Sequence, residues 1–276
     1  MVLVTQNRII IAILLSIIFS ILLWKTSVLN IFSQKEGLML SESPKIFFIN
    51  MDKDTGRYRK LIKHYQNSDL SNERINRYSA VVGKKVAPEK WLSSDALNEL
   101  RLIEKNGYRT HHHSITRGGI GCFLSHYYLA KQLLTDSEHN MYLIFEDDTS
   151  ILPNTYQQIK LSLESVPDNW DMLMFYTIRA VGHSENKTFH KLKSFWGMNC
   201  YLINKQGAKK FVEEVDKNKI DGQVDCYLSK MIQQNKMNIY STKKHYVSSN
   251  STDTNIQTIL KPQKGVNPYD YKGYII

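Results

Sequence analysis

Cysteine is scarce in this chain of 276 residues, which has only Cys122, Cys200 and Cys226. Their number is odd and their spacings are long, so the sequence does not predict a disulfide framework, and an oxidising compartment would allow at most one pair. The chain also lacks a CxxC pair, which argues against a structural zinc site.

The sequence lacks a basic stripe and any recognisable nucleic-acid motif, although its formal net charge is +10. The positive residues are spread along the chain, with small clusters such as Lys209-Lys210 and Lys243-Lys244. A basic surface favours an anionic ligand such as a nucleotide diphosphate, an anionic membrane or nucleic acid. Charge alone does not choose among them, and without a motif we expect no nucleic-acid partner.

Long hydrophobic runs are lacking except near the N-terminus, where Ile9 to Trp24 is uncharged and rich in Ile and Leu. A helix over this run spans about 24 Å, against about 30 Å for the hydrocarbon core of a bilayer. The flanking Arg8 and Lys25 can snorkel to the interface. The rival interpretation is a cleaved signal peptide, but no small-residue cleavage site follows Trp24. We therefore predict a tail over residues 1–8, a single-pass transmembrane anchor over 9–24 and a stem over 25–44.

The orientation of this signal-anchor is weakly determined, because Arg8 and Lys25 nearly balance each other across the span. Two glycosylation sequons begin at Asn186 and Asn250, and they are usable only on the lumenal side. They favour a lumenal soluble domain, in an ER-like or Golgi-like compartment if the host is eukaryotic.

The remaining sequence alternates between short apolar runs and amphipathic segments. The pattern predicts strands over 45–50, 78–82, 141–145, 172–176 and 196–203, and helices over 57–66, 94–106, 121–134, 151–166, 206–215 and 225–234. Such alternation is typical of an α/β fold with a mostly parallel sheet flanked by helices. We predict one domain over residues 45–260 and a tail over 261–276.

Three carboxylates follow the predicted strand that begins at Met141: Glu146, Asp147 and Asp148. If the strand continues, Glu146 and Asp148 project to one side and Asp147 to the other. A divalent cation would remove the repulsion among them, and carboxylate oxygens favour Mg²⁺ or Mn²⁺. A solvated acidic turn that caps the next segment explains the triplet equally well, so the residues alone leave both interpretations open.

Several further segments, taken with this triplet, resemble glycosyltransferase family 25, which includes lipooligosaccharide and procollagen galactosyltransferases. The matching segments, in chain order, are FINMD with Arg57, RYSAVVG from Arg77, GIGCFLSH from Gly119, LIFEDD from Leu143, Trp170-Asp171, YLI from Tyr201 with Gly207-Ala208, and Val224-Asp225. The order and spacing of the central motifs make the resemblance quite specific.

This resemblance implies a GT-A fold, a UDP-sugar donor with galactose expected, Mn²⁺ or Mg²⁺ as cofactor, and inversion at the sugar carbon. The expected acceptor is a hydroxyl group on a glycan or a protein. The predicted site residues are Glu146 and Asp148 for the metal; Asn50, Arg57, Asp147 and Asp148 for the donor; and Asp225 and Asp148 for catalysis, with Asp225 near the acceptor.

Two positions depart from the family pattern: Gly119 stands where the family usually has Glu, and Val82 where it usually has Asp. If either acid contributes to catalysis, the alternative is an inactive, membrane-anchored interaction protein on a degenerate transferase scaffold. A metal-dependent hydrolase or phosphotransferase that uses the same triplet is another alternative. His126 lies on or near the apolar face of its helix, where a lone His is more often a satisfied core residue than a ligand.

Overall fold

The fold was analysed in a computed structural model, which describes residues 43–249 except 108 and 110–112, together with residues 17, 20, 21 and 23–25. The chain divides into one unit over residues 1–43 and a second over residues 44–276. In the first unit, residues 17, 20, 21 and 23–25 are helical and exposed. No helix among the described residues is long and apolar enough to cross a membrane. The predicted anchor and stem lie largely, and the C-terminal tail wholly, outside the described residues.

The second unit contains ten strands and six α-helices within its described residues. The strands are β1 (Lys45–Asn50), β2 (Ile75–Ser79), β3 (Met141–Glu146), β4 (Thr149–Ile151), β5 (Met172–Met174), β6 (Ile178–Ser184), β7 (Phe189–Trp196), β8 (Cys200–Asn204), β9 (Ile239–Thr242) and β10 (Val247–Ser249). The helices are α1 (Thr55–Gln66), α2 (Ser94–Asn106), α3 (Arg117–Thr135), α4 (Thr155–Leu163), α5 (Lys205–Asn218) and α6 (Val224–Gln233). Short 3₁₀ turns cover Asp69–Asn72, Gly83–Lys85 and Pro88–Lys90.

Eight of the strands form one sheet in the order β2-β1-β3-β8-β5-β9-β7-β6. Pairing is parallel between β1 and β2, β1 and β3, and β5 and β9. Strand β8 is antiparallel to both of its neighbours, β3 and β5, and β7 is antiparallel to β9 and β6. The α/β class and the common direction of most strands agree with the prediction, while β7 and β8 run the opposite way.

Several predicted element boundaries were wrong for identifiable reasons. The strand predicted over 196–203 is two strands, because Gly197 adopts a positive φ of 87° and interrupts the chain between β7 and β8. The helix predicted from residue 151 begins only at Thr155, since Thr149–Ile151 pairs with β10. Strand β6 was missed because all its residues are exposed and leave no apolar alternation.

Helix α3 begins at Arg117, earlier than predicted, because the Thr116 hydroxyl accepts a hydrogen bond from the Gly119 amide at 3.0 Å. The helix packs a buried face against the sheet and α5, with the Phe123 ring 5.7 Å from that of Phe211. A Cβ at Gly121 would lie 2.3 Å from the Val81 carbonyl oxygen, so the two backbones touch. This contact fixes the 3₁₀ turn Gly83–Lys85 beside the start of α3.

The end of α3 is fixed by Asp136, whose carboxylate accepts hydrogen bonds from Tyr142, Lys45, Glu138 and His139. Burial alone would raise the pKa of Asp136, but these hydrogen bonds outweigh it and hold the pKa well below its usual range. The ionised carboxylate therefore stabilises the junction between α3 and β3.

A second buried carboxylate, that of Asp171, joins β5 to α5. It is fully buried, and both its oxygens accept hydrogen bonds from Lys210 Nζ at 2.7 and 2.8 Å. A Cβ at Gly207 would lie 2.2 Å from the Asp171 carbonyl oxygen, so α5 approaches β5 closely. Two of the family-like motifs, Trp170-Asp171 and Gly207-Ala208, therefore meet in the core.

Candidate functional site

The candidate site lies at one edge of the sheet, where β1, β2 and β3 end side by side. These parallel strands end at Asn50, Ser79 and Glu146. Strand β8 runs the other way, so its first residue, Cys200, lies opposite Phe145 at the same edge. Ligands of α/β sheets bind outside the carboxyl ends of the strands. A cleft of about 730 Å³ opens here.

Charges of both signs line the cleft. Its acidic residues include the triplet Glu146, Asp147 and Asp148. Its basic lining consists of Lys53, Arg57, Lys84, Lys85 and Arg117. The 3₁₀ turn fixed against α3 contributes Lys84 and Lys85. A cleft with both acidic and basic groups suits an anionic ligand that carries a bound cation.

Glu146 is the last residue of β3 and contacts α3. Its Oε1 lies 3.0 Å from His126 Nε2 and 3.7 Å from Cys122 Sγ. The other ring nitrogen of His126 lies 2.8 Å from the Tyr201 hydroxyl. His126 is thus buried and fully hydrogen-bonded, as expected for a core histidine, and it also contacts the acidic triplet.

Asp147 lies on the opposite side of the cleft, towards β1 and α1. Its carboxylate accepts a hydrogen bond from Asn50 Nδ2 at 2.7 Å and pairs with Arg57 at 2.7 Å. Asn50 is buried, and its Oδ1 accepts hydrogen bonds from Arg77 Nη2 at 2.6 Å and Nε at 3.1 Å. The Arg77 guanidinium lies over the Tyr58 ring, 4.6 Å from its centroid. The predicted donor-binding residues Asn50, Arg57 and Asp147 therefore form one connected network.

Asp148 accepts a hydrogen bond from Asn199 Nδ2 at 2.6 Å, and its other oxygen lies 3.6 Å from Arg57. Burial and repulsion by Glu146 raise the pKa of Asp148 to about 7. Burial likewise raises the pKa of Asp147. A divalent cation between Glu146 and Asp148 would relieve this repulsion, so the donor set fits the predicted metal.

The strict alternation expected for the triplet does not apply, because β3 ends at Glu146 and residues 147 and 148 form a turn. Each carboxylate consequently has its own partners: α3 for Glu146, β1 and α1 for Asp147, and the segment before β8 for Asp148. All three still line the cleft.

Asp225, the predicted acceptor-side residue, is the second residue of α6 and is not among the residues that line the cleft. One of its oxygens accepts a hydrogen bond from the Gly197 amide at 2.9 Å and the other from the Cys226 amide at 2.8 Å. After burial and the charge of Glu146, the Asp225 carboxylate helps to raise the pKa of Cys122. The Asp225 carboxylate therefore acts electrostatically on Cys122, which lines the cleft.

The two departures from the family pattern lie in different places. Val82 is exposed and lines the cleft. A Cβ at Gly119 would lie 3.3 Å from Gln223 Oε1, so a side chain there would point towards the start of α6.

Sequence reasoning did not assign Arg77, Asn199 or Cys122 to the site. Arg77 and Cys122 occur inside the family-like motifs, which is the signal that was available for them. Asn199 precedes a strand whose antiparallel direction was not predicted, so nothing in the sequence pointed to it.

Comparisons with known proteins identify one family. The family model described as glycosyltransferase family 25 (LPS biosynthesis protein) matches residues 43–228. A glycosyltransferase 25 family member from Aedes aegypti is 28% identical over 61% of this chain and 28% of its own length. Procollagen galactosyltransferase 2 from Homo sapiens is 27% identical over 61% of this chain and 27% of its own length. The chain thus spans less than a third of either relative.

Among solved structures, the apo form of the glycosyltransferase GlyE from Streptococcus pneumoniae covers 72% of this chain and 45% of its own length. The identity is 11% and the TM-score is 0.35, a similarity too low to support a conclusion.

Proposed function

This chain belongs to glycosyltransferase family 25, and on that basis we propose that it transfers a sugar from a UDP-sugar to a hydroxyl group of a glycan or protein acceptor. Galactose is the expected sugar, because procollagen galactosyltransferases are among the relatives. The observation that supports the proposal most is the cleft, where family-like motifs bring an acidic triplet and a basic lining together. In a diphosphate bound to a divalent cation, the cation matches the acidic triplet and the phosphates match the basic lining.

In this proposal Glu146 and Asp148 would hold Mn²⁺ or Mg²⁺, and the cation would supply positive charge to a departing diphosphate. Arg57 has five N–H donors and uses few of them on Asp147 and Asp148, so others can contact a phosphate oxygen. Asn50 keeps Asp147 oriented towards the donor side of the cleft.

The proposed transfer is a direct displacement with inversion at the sugar carbon. An acceptor oxygen forms a bond to the anomeric carbon, the bond from that carbon to the diphosphate breaks, and the hydroxyl proton passes to a carboxylate. Asp225 and Asp148 are the proposed catalytic residues. In this scheme Asp148 would contribute to catalysis by holding the cation beside the departing diphosphate. Each oxygen of Asp225 accepts one backbone hydrogen bond and keeps a further lone pair that can accept a proton.

The test is UDP release from a panel of UDP-sugars by residues 41–276, with Mn²⁺ and with a chelator. We expect metal-dependent release from one sugar, and loss of that release in Asp148→Asn with folding intact. Unchanged turnover in Asp148→Asn would contradict the metal assignment. Product analysis distinguishes the alternatives, since a hydrolase gives free sugar and a degenerate scaffold binds no UDP-sugar even with metal.

We also propose that residues 9–24 anchor the chain in a membrane with the large domain on the lumenal side. Asn186 begins one of the two glycosylation sequons. In the folded domain its side chain is hydrogen-bonded, since Oδ1 accepts hydrogen bonds from the Thr188 and Phe189 amides. Sedimentation with membranes after an alkaline wash, and protease protection of the domain, are the expected results for the full chain. A chain found wholly in the supernatant would overturn this proposal.

A further inference from the structure

Three chemically different side chains meet in the wall of the cleft, and their donor set differs from that of the proposed Mn²⁺ or Mg²⁺ site. Cys122 and His126 are four residues apart on α3 and therefore share one face of the helix. Glu146 reaches the same point from the end of β3. Among the described residues, Cys122 Sγ, His126 Nε2 and a Glu146 oxygen lie within 4.8 Å of one another.

We propose that Cys122, His126 and Glu146 form a zinc-binding site, with Sγ, Nε2 and Oε1 as the three protein ligands. This inference does not rest on the proposed transferase activity. Thiolate and imidazole are ligands that favour Zn²⁺ over Mg²⁺ or Mn²⁺. The two sites share Glu146, but the cysteine and the histidine belong only to the zinc site.

The distances suit a tetrahedral ion. With ordinary zinc–ligand bond lengths, tetrahedral geometry separates sulfur and oxygen by about 3.6 Å and nitrogen and oxygen by about 3.4 Å. The observed separations are 3.7 Å for Cys122 Sγ to Glu146 Oε1 and 3.0 Å for His126 Nε2 to Glu146 Oε1. Both separations are within about 0.4 Å of the tetrahedral values, and the third pair, Cys122 Sγ and His126 Nε2, lies within 4.8 Å.

The surroundings of the three ligands also suit a metal. His126 Nδ1 lies 2.8 Å from the Tyr201 hydroxyl, and an outer hydrogen bond of this kind fixes the ring so that Nε2 can bind. All three ligands line the cleft, so a fourth position is open to water or a ligand. On binding, the Cys122 S–H bond loses its proton to the buffer and a sulfur–zinc bond forms. The proton released on binding is a measurable signal.

The experiment uses the reduced, chelator-treated full chain and Co²⁺ as a spectroscopic probe for zinc. We expect a thiolate-to-cobalt charge-transfer band that saturates at one equivalent, disappears on addition of Zn²⁺, and is lost in Cys122→Ser. Tyr201→Phe keeps all three ligands and should weaken Zn²⁺ binding about 10–100-fold, as expected for loss of an outer partner. Proton release on Zn²⁺ binding should fall in Cys122→Ser.

The matched control is Cys226→Ser, because Cys226 Sγ lies 2.6 Å from His113 Nδ1 and forms the other thiol–imidazole pair of the described residues. The charge-transfer band should be unchanged in Cys226→Ser. It should also be unchanged in Asp148→Asn, which separates this site from the proposed donor-metal site. Absence of a band in the wild type, or persistence of the band in Cys122→Ser, would overturn the proposal and leave a hydrogen-bonded cluster only.

Discussion

Replacing Asn199 with Ala tests whether the orientation of Asp148 determines activity. The substitution removes the 2.6 Å hydrogen bond from Asn199 Nδ2 to the carboxylate. A hydrogen bond to a charged group contributes about 1.5–3 kcal/mol. If the full amount is needed in the transition state, kcat/KM should fall about tenfold to 150-fold. The backbone of residue 199 keeps its hydrogen bonds with Glu146 and Thr149, so the edge of the sheet should remain intact.

The same substitution should change how metal binding depends on pH. The hydrogen bond from Asn199 favours the ionised form of Asp148, so its loss should raise the pKa of this carboxylate further above about 7. Protons then compete more strongly with the cation. The apparent affinity for Mn²⁺ should therefore fall more at pH 6 than at pH 8, as measured from metal titrations of UDP release.

The matched control is Asn76→Ala, which also removes a side-chain amide hydrogen bond, 3.1 Å to the Ile46 carbonyl, from a residue that does not line the cleft. It should leave kcat/KM and the Mn²⁺ titration unchanged. The reasoning is refuted if Asn199→Ala, folded by circular dichroism, retains wild-type kcat/KM within a factor of two, or if Asn76→Ala loses as much activity.

Three further predictions concern stability. Asp136→Asn should lower the free energy of unfolding by about 1–3 kcal/mol at pH 7. Because the folded pKa of Asp136 is depressed, wild type loses this advantage progressively as pH falls below about 4, and the gap between the two proteins should narrow continuously towards the folded pKa. Lys210→Met should cost about 3 kcal/mol in urea unfolding, because the buried Asp171 loses its cation. Gly121→Ala should cost about 1–3 kcal/mol, since its Cβ would meet the backbone of Val81.

Each of these three stability predictions has its own control. A gap between wild type and Asp136→Asn that stays constant down to pH 2 would contradict the assigned pKa direction. The double variant Lys210→Met with Asp171→Asn should recover part of the loss, since no buried charge remains unpaired. Gly56→Ala in α1, where a Cβ meets nothing within 4 Å, should stabilise the protein by up to about 1 kcal/mol. Equal effects of the two glycine substitutions would show that the close backbone contact at Gly121 is not decisive.

The sequence by itself determined the elements with strong local signals. The apolar run at Lys45–Asn50 and the run before Glu146 were predicted as strands and are β1 and β3. Because parallel strands end at the same edge of a sheet, their carboxyl ends also indicated where a site would lie. The order and spacing of the motifs led to the family resemblance, which the match over residues 43–228 confirms.

The tertiary structure alone decided how the side chains of the site are partnered. Strand β8 enters antiparallel between β3 and β5, which brings Asn199 to Asp148. Hydrophobic periodicity reports burial along a strand but not its direction, so the sequence did not predict this contact. The meeting of Cys122 with Glu146 likewise depends on how α3 packs against the sheet. Local patterns fix strands and helices, whereas long-range packing fixes which polar groups those elements bring within hydrogen-bonding distance.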